Sequence, residues 1–312
     1  MSEQKSTFEP EEIFQYQKVK NYRIKKFDKW GLNTYLIEFE SALKTSFPEN
    51  NRVFALWHRK NSNKVIILIH GWHGPKCTYP CYFTVQFRKE GYDTVQIVLP
   101  YHRERTPSGY RSGELFFTVN ERQNYEAYRQ AIIDLMSLAD FFQKEGFKIA
   151  CFGISLGAII LNTLMGVDLR YSAGISFLGA GHIHRIVWEG FAGRAIRRWL
   201  KKRGIGKKDY LYILSDYKKY LDKVYRDKKV HETRWSWYYI DPLTYAYRNN
   251  PRNVLMVNAF FDEVIPRKAV YETWEAFGYP PLCWIPAGHL TARFFNTKVL
   301  RLSLSFLKIR WR

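Results

Sequence analysis

The sequence of 312 residues predicts an α/β fold in which a mostly parallel sheet is flanked by helices. Two observations predict this class. Apolar, β-branched runs alternate along the chain with segments whose apolar residues recur every three or four positions. One long basic segment, at residues 182–250, interrupts the alternation. We therefore expect an N-terminal peripheral segment with leading strands at 1–60, a core formed by 61–181 and 251–312, and a helical cap insertion at 182–250.

The N-terminal part is predicted to contribute little to the core. Residues 1–30 are polar and lack an apolar stretch of signal length. Residues 35–39 and 52–57 are predicted strands around a turn at 48–51. No window of the sequence approaches about 18 uninterrupted apolar residues, so a membrane span is not expected and the predicted location is the cytoplasm.

The strands of the core are predicted from apolar runs without alternation, which suit strands covered on both faces. In chain order these runs are residues 64–70, 94–100, 147–152, 173–179, 253–260 and 282–285. The predicted helices between them are residues 80–90, 121–144, 158–165, 267–277 and most of 290–309. The clearest is 121–144, where apolar side chains recur at steps of three and four from Tyr125 to Phe142.

Residues 153–157 read Gly-Ile-Ser-Leu-Gly, directly after a predicted strand and before an apolar helix. The pattern is short and by itself weak evidence for a catalytic serine, but its position between a strand and a helix strengthens that interpretation. A sharp strand-to-helix turn lifts the hydroxyl of Ser155 clear of the sheet edge, and the flanking glycines let the backbone pass without collision. The helix N-terminus favours developing negative charge. Ser155 is therefore the candidate nucleophile.

A nucleophilic serine needs a base to take its proton and a carboxylate to orient that base. Asp262 follows the predicted strand 253–260, and His289 follows the predicted strand 282–285. Both leave the carboxyl end of a strand, the edge at which sites form in open α/β sheets. Glu263 is an alternative to Asp262, and a helix N-cap is the structural alternative for Asp262 itself.

Two backbone N–H groups are candidates for holding a developing oxyanion. One belongs to Leu156, the residue after the nucleophile. The other should come from a loop after an early strand, and we assign it to Trp72 in the run His-Gly-Trp-His-Gly at 70–74. The spacing of His70 and His73 suggests a metal pair, but no third ligand is evident. We therefore expect no metal.

With these residues placed, residues 64–310 resemble an α/β-hydrolase. The run Leu-Pro-Tyr-His-Arg-Glu-Arg-Thr-Pro at 99–107 is similar to bacterial hydrolases of the dienelactone-hydrolase and prolyl-oligopeptidase branches, with a weaker likeness to the eighteenth abhydrolase-domain type. The resemblance implies a serine hydrolase without a cofactor, with Ser155 as nucleophile, His289 as base and Asp262 as its orienter.

One departure from the family pattern concerns the oxyanion loop. Trp72 and His73 stand where many relatives carry small residues. A bulky pair there would narrow the pocket. The resemblance therefore leaves the substrate open.

The charge balance favours anionic partners. The net charge is +20, and the segment 182–250 holds 17 Lys and Arg against 7 Asp and Glu. Residues 193–204 interleave Ile196, Trp199 and Leu200 with six basic residues. This pattern is compatible with an anionic membrane surface, and the alternative is the solvated side of a cap helix. No nucleic-acid-binding motif is present, so nucleic acid is not an expected partner.

A second basic feature follows the predicted strand 94–100. Arg103 and Arg105 are predicted to lie near the pocket rim and to bind an anionic group of the substrate, such as phosphate or carboxylate. The alternative is a loop held by its own Arg–Glu pairs.

The sequence as a whole predicts a serine hydrolase that cleaves a carboxylic ester of acyl or lipid type through an acyl-enzyme. An aromatic cap favours an apolar acyl group and a basic surface favours an anionic head group, so a phospholipid-like ester is the boldest expectation. A peptidase, an acyltransferase and a non-catalytic binding protein for anionic surfaces remain alternatives. The oligomeric state is not predicted.

Overall fold

A nine-stranded sheet runs through the centre of the structure, a computed structural model that describes residues 7–27, 31–72 and 81–311. The strands in chain order are β1 (Thr7–Phe8), β2 (Arg23–Lys26), β3 (Thr34–Glu40), β4 (Arg52–His58), β5 (Lys64–Ile69), β6 (Asp93–Ile97), β7 (Lys148–Ile154), β8 (Tyr171–Phe177), β9 (Val230–His231), β10 (Val254–Ala259) and β11 (Leu282–Ile285). The large sheet has the order β11-β10-β8-β7-β5-β6-β4-β3-β2, and β1 pairs with β9 separately.

Six consecutive strands of the large sheet, from β11 to β6, are parallel, and β4, β3 and β2 extend the sheet beyond β6 in antiparallel pairing. The mostly parallel sheet predicted from the sequence is therefore confirmed. Every predicted run forms a strand close to its predicted bounds. Because the parallel strands share one direction, the loops that leave β5, β7, β10 and β11 all emerge at the same edge.

Helices cover both faces of the sheet. They are α1 (Pro10–Ile13), α2 (Tyr82–Lys89), α3 (Glu121–Lys144), α4 (Leu156–Val167), α5 (Ile183–Glu189), α6 (Arg194–Lys202), α7 (Lys207–Asp227), α8 (Arg267–Ala276) and α9 (Asn296–Arg310). The apolar faces of α3 and α4 pack on one face of the sheet, and those of α2 and α9 pack on the other. Helix α9 begins later than predicted because Thr291–Phe295 forms a 3-10 turn. No helix in the described ranges is both long and apolar enough to cross a bilayer.

The N-terminal residues are less peripheral than their polarity predicts. Arg23–Lys26 is an exposed strand at the edge of the sheet. Phe14 is fully buried, with its ring centroid 5.6 Å from that of Tyr245. Thr7 pairs with His231, which ties the N-terminus to the basic segment. A few apolar side chains among polar neighbours are enough to anchor this stretch.

The segment 182–250 leaves the sheet after β8, returns before β10, and is largely helical. Its two ends are held together by Asp241, whose buried carboxylate accepts the backbone N–H groups of His182 (3.0 Å) and Ile183 (2.5 Å). Burial raises the pKa of Asp241 to about 6, while these backbone donors oppose the rise. The segment is thus fastened at its base rather than tethered loosely.

Candidate active site

Ser155 occupies a strained turn between β7 and α4. Its φ is 55° and its ψ is −116°, a positive φ that few non-glycine residues adopt. A Cβ at position 153 would lie 2.3 Å from the carbonyl oxygen of Gly157, and a Cβ at position 157 would lie 2.1 Å from that of Ile69. Glycine is therefore required on both sides of the serine, because position 153 lies against the first turn of α4 and position 157 lies against β5.

The imidazole of His289 lies between Ser155 and Asp262. Its Nε2 is 2.9 Å from Ser155 Oγ, and its Nδ1 is 2.8 Å from Asp262 Oδ2 and 3.0 Å from Oδ1. A carboxylate beside Nδ1 holds the proton on that nitrogen and leaves Nε2 able to accept one from the serine. The three predicted side chains, 134 residues apart at the extremes, are thus brought together in one hydrogen-bonded chain.

Asp262 rather than Glu263 contacts the imidazole. Asp262 Oδ1 also accepts the backbone N–H groups of Val264 and Ile265, each at 2.8 Å, so the carboxylate is fixed in position. Glu263 binds the same loop differently, since its Oε2 accepts the backbone N–H of His289 at 3.0 Å. The two neighbouring acids hold the side chain and the main chain of one histidine.

The two residues predicted to supply oxyanion donors lie near the serine. Leu156 is the first residue of α4, where a backbone N–H has no partner within the helix. Trp72 lines the same cavity as Ser155, and its indole Nε1 donates to the carbonyl of Gly113 at 3.1 Å. The loop carrying Trp72 passes close to the serine, because a Cβ on Gly71 would lie 3.4 Å from Ser155 Cβ. Residues 73–80, including His73, lie outside the described residues.

His70 fixes the position of this loop. Apart from the rejected metal pair, the sequence predicts no role for it. Its Nε2 accepts the backbone N–H of Leu99 at 3.1 Å, so its proton is on Nδ1, which donates to the carbonyl of Gly71 at 2.6 Å. Burial lowers the pKa of His70 to about 4, so the ring is neutral near pH 7. The signal in the sequence was its position, immediately after β5 and before Gly71.

The prediction that Arg105 binds an anionic group of the substrate is wrong. Its side chain is fully buried, with Nη1 2.8 Å from Asp134 Oδ2 on α3, so it cannot bind an anionic group of a substrate in the pocket. Arg103 is half-buried, and its backbone N–H donates to Ser112 Oγ at 3.0 Å. A role for Arg103 at the rim stays a prediction.

The cavity at Ser155 and His289 has a volume of about 460 Å³ and mostly apolar walls. Leu290 lies at its mouth and is 76% exposed. Phe261, next to Asp262, is 67% exposed. Phe191 is 56% exposed, and its backbone N–H binds the carbonyl of Glu263 at 2.7 Å. Leu290 lines the cavity, Phe191 precedes Ala192, which also lines it, and Phe261 precedes Asp262, so three exposed apolar side chains lie in segments that contribute to the site.

No protein-family model matches the sequence, and no curated protein sequence is significantly similar to it. Solved structures are similar in fold. An acetyl xylan esterase from Paenibacillus sp. R4 aligns over 94% of this chain and 90% of its own, with a TM-score of 0.64 and 16% identity. Acetyl xylan esterase 1 from Thermoanaerobacterium sp. JW/SL YS485 aligns over 95% and 92%, with a TM-score of 0.62 and 16% identity.

A third similar structure is the acylaminoacyl peptidase of Pyrococcus horikoshii. It aligns over 93% of this chain but only 42% of its own, with a TM-score of 0.60 and 18% identity. At these identities the similarity concerns architecture. The chain has the α/β-hydrolase fold, as the motifs at 70–74 and 153–157 predict.

Proposed function

We propose that the chain is a serine hydrolase that cleaves a carboxylic ester through an acyl-enzyme intermediate. The observation that carries this proposal is the hydrogen-bonded chain from Ser155 through His289 to Asp262, set on a strained turn at the carboxyl edge of the sheet. The esterases among the similar structures support it.

The first half-reaction follows from the positions of these atoms. Ser155 Oγ attacks the ester carbonyl carbon, and its proton passes to His289 Nε2. Asp262 stabilises the imidazolium through Nδ1. When the tetrahedral intermediate collapses, the bond to the alcohol oxygen breaks, and His289 returns the proton to that oxygen. The acyl group remains on Ser155, and water attacks it in the second half-reaction by the same steps.

The oxyanion of each tetrahedral intermediate would be held by the N–H groups of Leu156 and Trp72. The first is free of helix bonding by its position. The second depends on the loop that His70 holds through the carbonyl of Gly71. Donors fixed in this way before the reaction stabilise charge without reorganising, which is why such sites contribute a large share of catalysis.

The surroundings of the pocket favour a substrate presented by an anionic membrane, such as a phospholipid-like ester. We take the exposed side chains of Leu290, which lines the cavity, and of Phe191 and Phe261, which lie in segments next to it, as an apolar rim. Arg194 lies over the ring of Phe191 at 4.9 Å, so the basic helix α6 begins beside this apolar rim. Apolar side chains bordered by cations are the pattern of proteins that rest on acidic lipid surfaces. A cytoplasmic location with peripheral membrane contact is therefore part of the proposal.

A peptidase, an acyltransferase and a binding protein without turnover are the alternatives. A peptidase would cleave aminoacyl anilides. An acyltransferase would transfer the acyl group to an added alcohol in preference to water. A binding protein would bind anionic surfaces equally well as the wild type and as Ser155→Ala.

The deciding experiment is labelling with a fluorophosphonate, which reacts with activated serines. We expect the wild type and the control Ser215→Ala, an exposed serine on α7, to be labelled, and Ser155→Ala to remain unlabelled. The labelled peptide should contain Ser155. A folded wild type that is neither labelled nor able to hydrolyse any ester from acetyl to palmitoyl would overturn the proposal.

A further inference from the structure

A second cavity lies between the segment 182–250 and residues 117–124, separate from the pocket at Ser155. Its volume is about 530 Å³, and it is enclosed mainly by α5, α6 and α7 and the turn at 235–240. Its apolar lining includes Val187, Ile196, Leu200, Ile213 and Trp237. Neither the strand pattern nor the motif at 153–157 predicts this space.

A smaller cavity of about 70 Å³, here called the neck, shares lining residues with both spaces. At one end it is lined by Ser155 and Leu156, the nucleophile and a proposed oxyanion donor. At the other end Phe117, Ile183 and Val187 line both the neck and the second cavity. These three apolar side chains therefore stand between the reacting serine and the second cavity.

The described charged side chains that line the second cavity are all paired within the protein. Each has a hydrogen-bond partner: Glu121 accepts from Ser236, Asp209 accepts from Gly206, and Arg234 donates to Tyr212. Two lining nitrogens, His184 Nε2 and Trp235 Nε1, have no such partner among the described residues. Neither is charged near pH 7, because burial lowers the pKa of His184 to about 3. The space therefore suits an apolar ligand.

We propose that this space is an acyl-chain site, which makes the substrate an ester of a long, unbranched acyl group. The inference rests on the proposed function. With the acyl carbon on Ser155 and its oxygen toward Leu156, the chain extends through the neck, past Val187 and Ile183, into the second cavity. Val187 acts as a specificity-determining residue, since it lines both the neck and the second cavity.

An acyl-chain site makes kcat/KM depend on the length of the acyl group. Burying one methylene group is worth roughly a fourfold gain in kcat/KM when the contact is made in the transition state. The wild type should therefore gain activity steadily as the acyl chain lengthens beyond butyryl. The preferred acyl group would then differ from the acetyl group in the names of the acetyl xylan esterases of the same fold. An acetyl group would leave the neck and the second cavity empty.

The test is an acyl-length series of p-nitrophenyl esters, from acetyl through butyryl, octanoyl and lauroyl to palmitoyl, all presented in the same detergent micelles. We expect Val187→Trp to reduce the ratio of palmitoyl to butyryl kcat/KM by at least about tenfold, because the indole fills the neck. Ile196→Trp, deeper in the second cavity, should shorten the preferred chain without excluding octanoyl. Leu211→Trp is the matched control, because Leu211 is exposed on α7, and its ratio should equal that of the wild type.

The outcomes separate this inference from the proposed function. If the wild type is not labelled by the fluorophosphonate and hydrolyses none of the esters, the proposed function fails. If it hydrolyses acetyl or butyryl esters best and longer esters progressively less, only the acyl-chain site fails. The same conclusion follows if neither Val187→Trp nor Ile196→Trp changes the ratio of palmitoyl to butyryl kcat/KM. The wild-type series and Ile196→Trp decide the matter should Val187→Trp not fold.

Discussion

Arg105 and Asp134 form a fully buried ion pair, with Arg105 Nη1 2.8 Å from Asp134 Oδ2. Ser41 Oγ donates to the other carboxylate oxygen at 2.6 Å, and the guanidinium also donates to the backbone carbonyls of Asn50 and Val98. Burial lowers the pKa of Arg105 and raises that of Asp134, while each partner opposes the shift of the other. The loop after β6 is thus fastened to α3 and to the turn before β4.

Arg105→Met should reduce the free energy of unfolding by about 3 to 5 kcal/mol, because it leaves the Asp134 carboxylate buried without its partner. Urea denaturation followed by circular dichroism measures this change. Arg105→Met/Asp134→Leu should recover part of the loss, since both charges are then removed. Arg122→Met, at an exposed pair with Glu126, should change stability by no more than about 0.5 kcal/mol.

An unchanged stability for Arg105→Met together with weaker binding of anionic substrates would contradict this account. It would return Arg105 to the role in substrate binding that the sequence alone suggests. The stability measurement and the Michaelis constant therefore separate the two interpretations.

Asp262→Asn should reduce kcat for ester hydrolysis by about 10³- to 10⁴-fold, because an amide cannot stabilise the imidazolium and can favour the wrong tautomer of His289. The expected change in KM is small, since Asp262 is not expected to touch the substrate. Steady-state kinetics on a short-chain ester measure both constants.

Glu263→Gln is the matched control for Asp262→Asn. Glutamine retains an oxygen that can accept the backbone N–H of His289, as Glu263 does at 3.0 Å. We expect a loss of less than about tenfold in kcat. A larger loss from Glu263→Gln than from Asp262→Asn would exchange the roles of the two acids.

His70 should make the protein sensitive to acid. Its folded pKa, about 4, lies below its ordinary value of 6.5, so between these values the unfolded chain binds a proton that the folded chain does not. The contribution of neutral His70 to stability is full above pH 6.5 and is lost as the pH falls toward 4. The size of the pKa difference corresponds to about 3 kcal/mol.

His70→Gln should therefore be less stable than the wild type at pH 7 but lose less stability between pH 6.5 and 4. His58→Gln is the control, because His58 is buried in β4, away from Ser155, and burial lowers its pKa to about 4 as well. Both variants should flatten the pH dependence of unfolding, but only His70→Gln should reduce kcat. Equal kcat values in the two variants would argue against a positioning role for His70.

Membrane binding should depend on the exposed cations of α6. The variant replaces Arg194, Arg198, Lys201 and Lys202 by glutamine and retains Arg197, whose guanidinium donates to the carbonyls of Val187 and Gly190. Each lysine or arginine near an anionic lipid surface is worth about 1 kcal/mol. We expect at least about a tenfold weaker partition onto vesicles that contain phosphatidylserine, measured by co-sedimentation.

The control neutralises four exposed cations elsewhere, namely Lys89, Arg122, Lys144 and Lys308. Both variants carry the same net charge, so a difference between them reports position rather than total charge. Binding of the wild type should weaken with salt, because the Debye length falls to about 3 Å at 1 M. Identical partition of the two variants would contradict a membrane face on α6.

The reaction centre was more predictable than its surroundings. Ser155, Asp262 and His289 each follow an apolar run that the sequence predicts to be a strand, and parallel strands end at one edge. Arg105 also follows such a run, yet its side chain turns inward. Its partner, Asp134, lies in the apolar stripe of α3, where a charged residue gives no local sign of what it faces.

The alternation of strands and helices, the turn at Ser155 and the sheet edge at which Asp262 and His289 lie are all predictable from the sequence. These follow from local periodicity and from backbone sterics, which neighbouring residues decide. Four other features are visible only in the folded protein. They are the pairing of Thr7 with His231, the hydrogen bond of His70 with the carbonyl of Gly71, the burial of Arg105 and the neck beside Val187. Such contacts join distant segments, and their free energy depends on packing that no local pattern records.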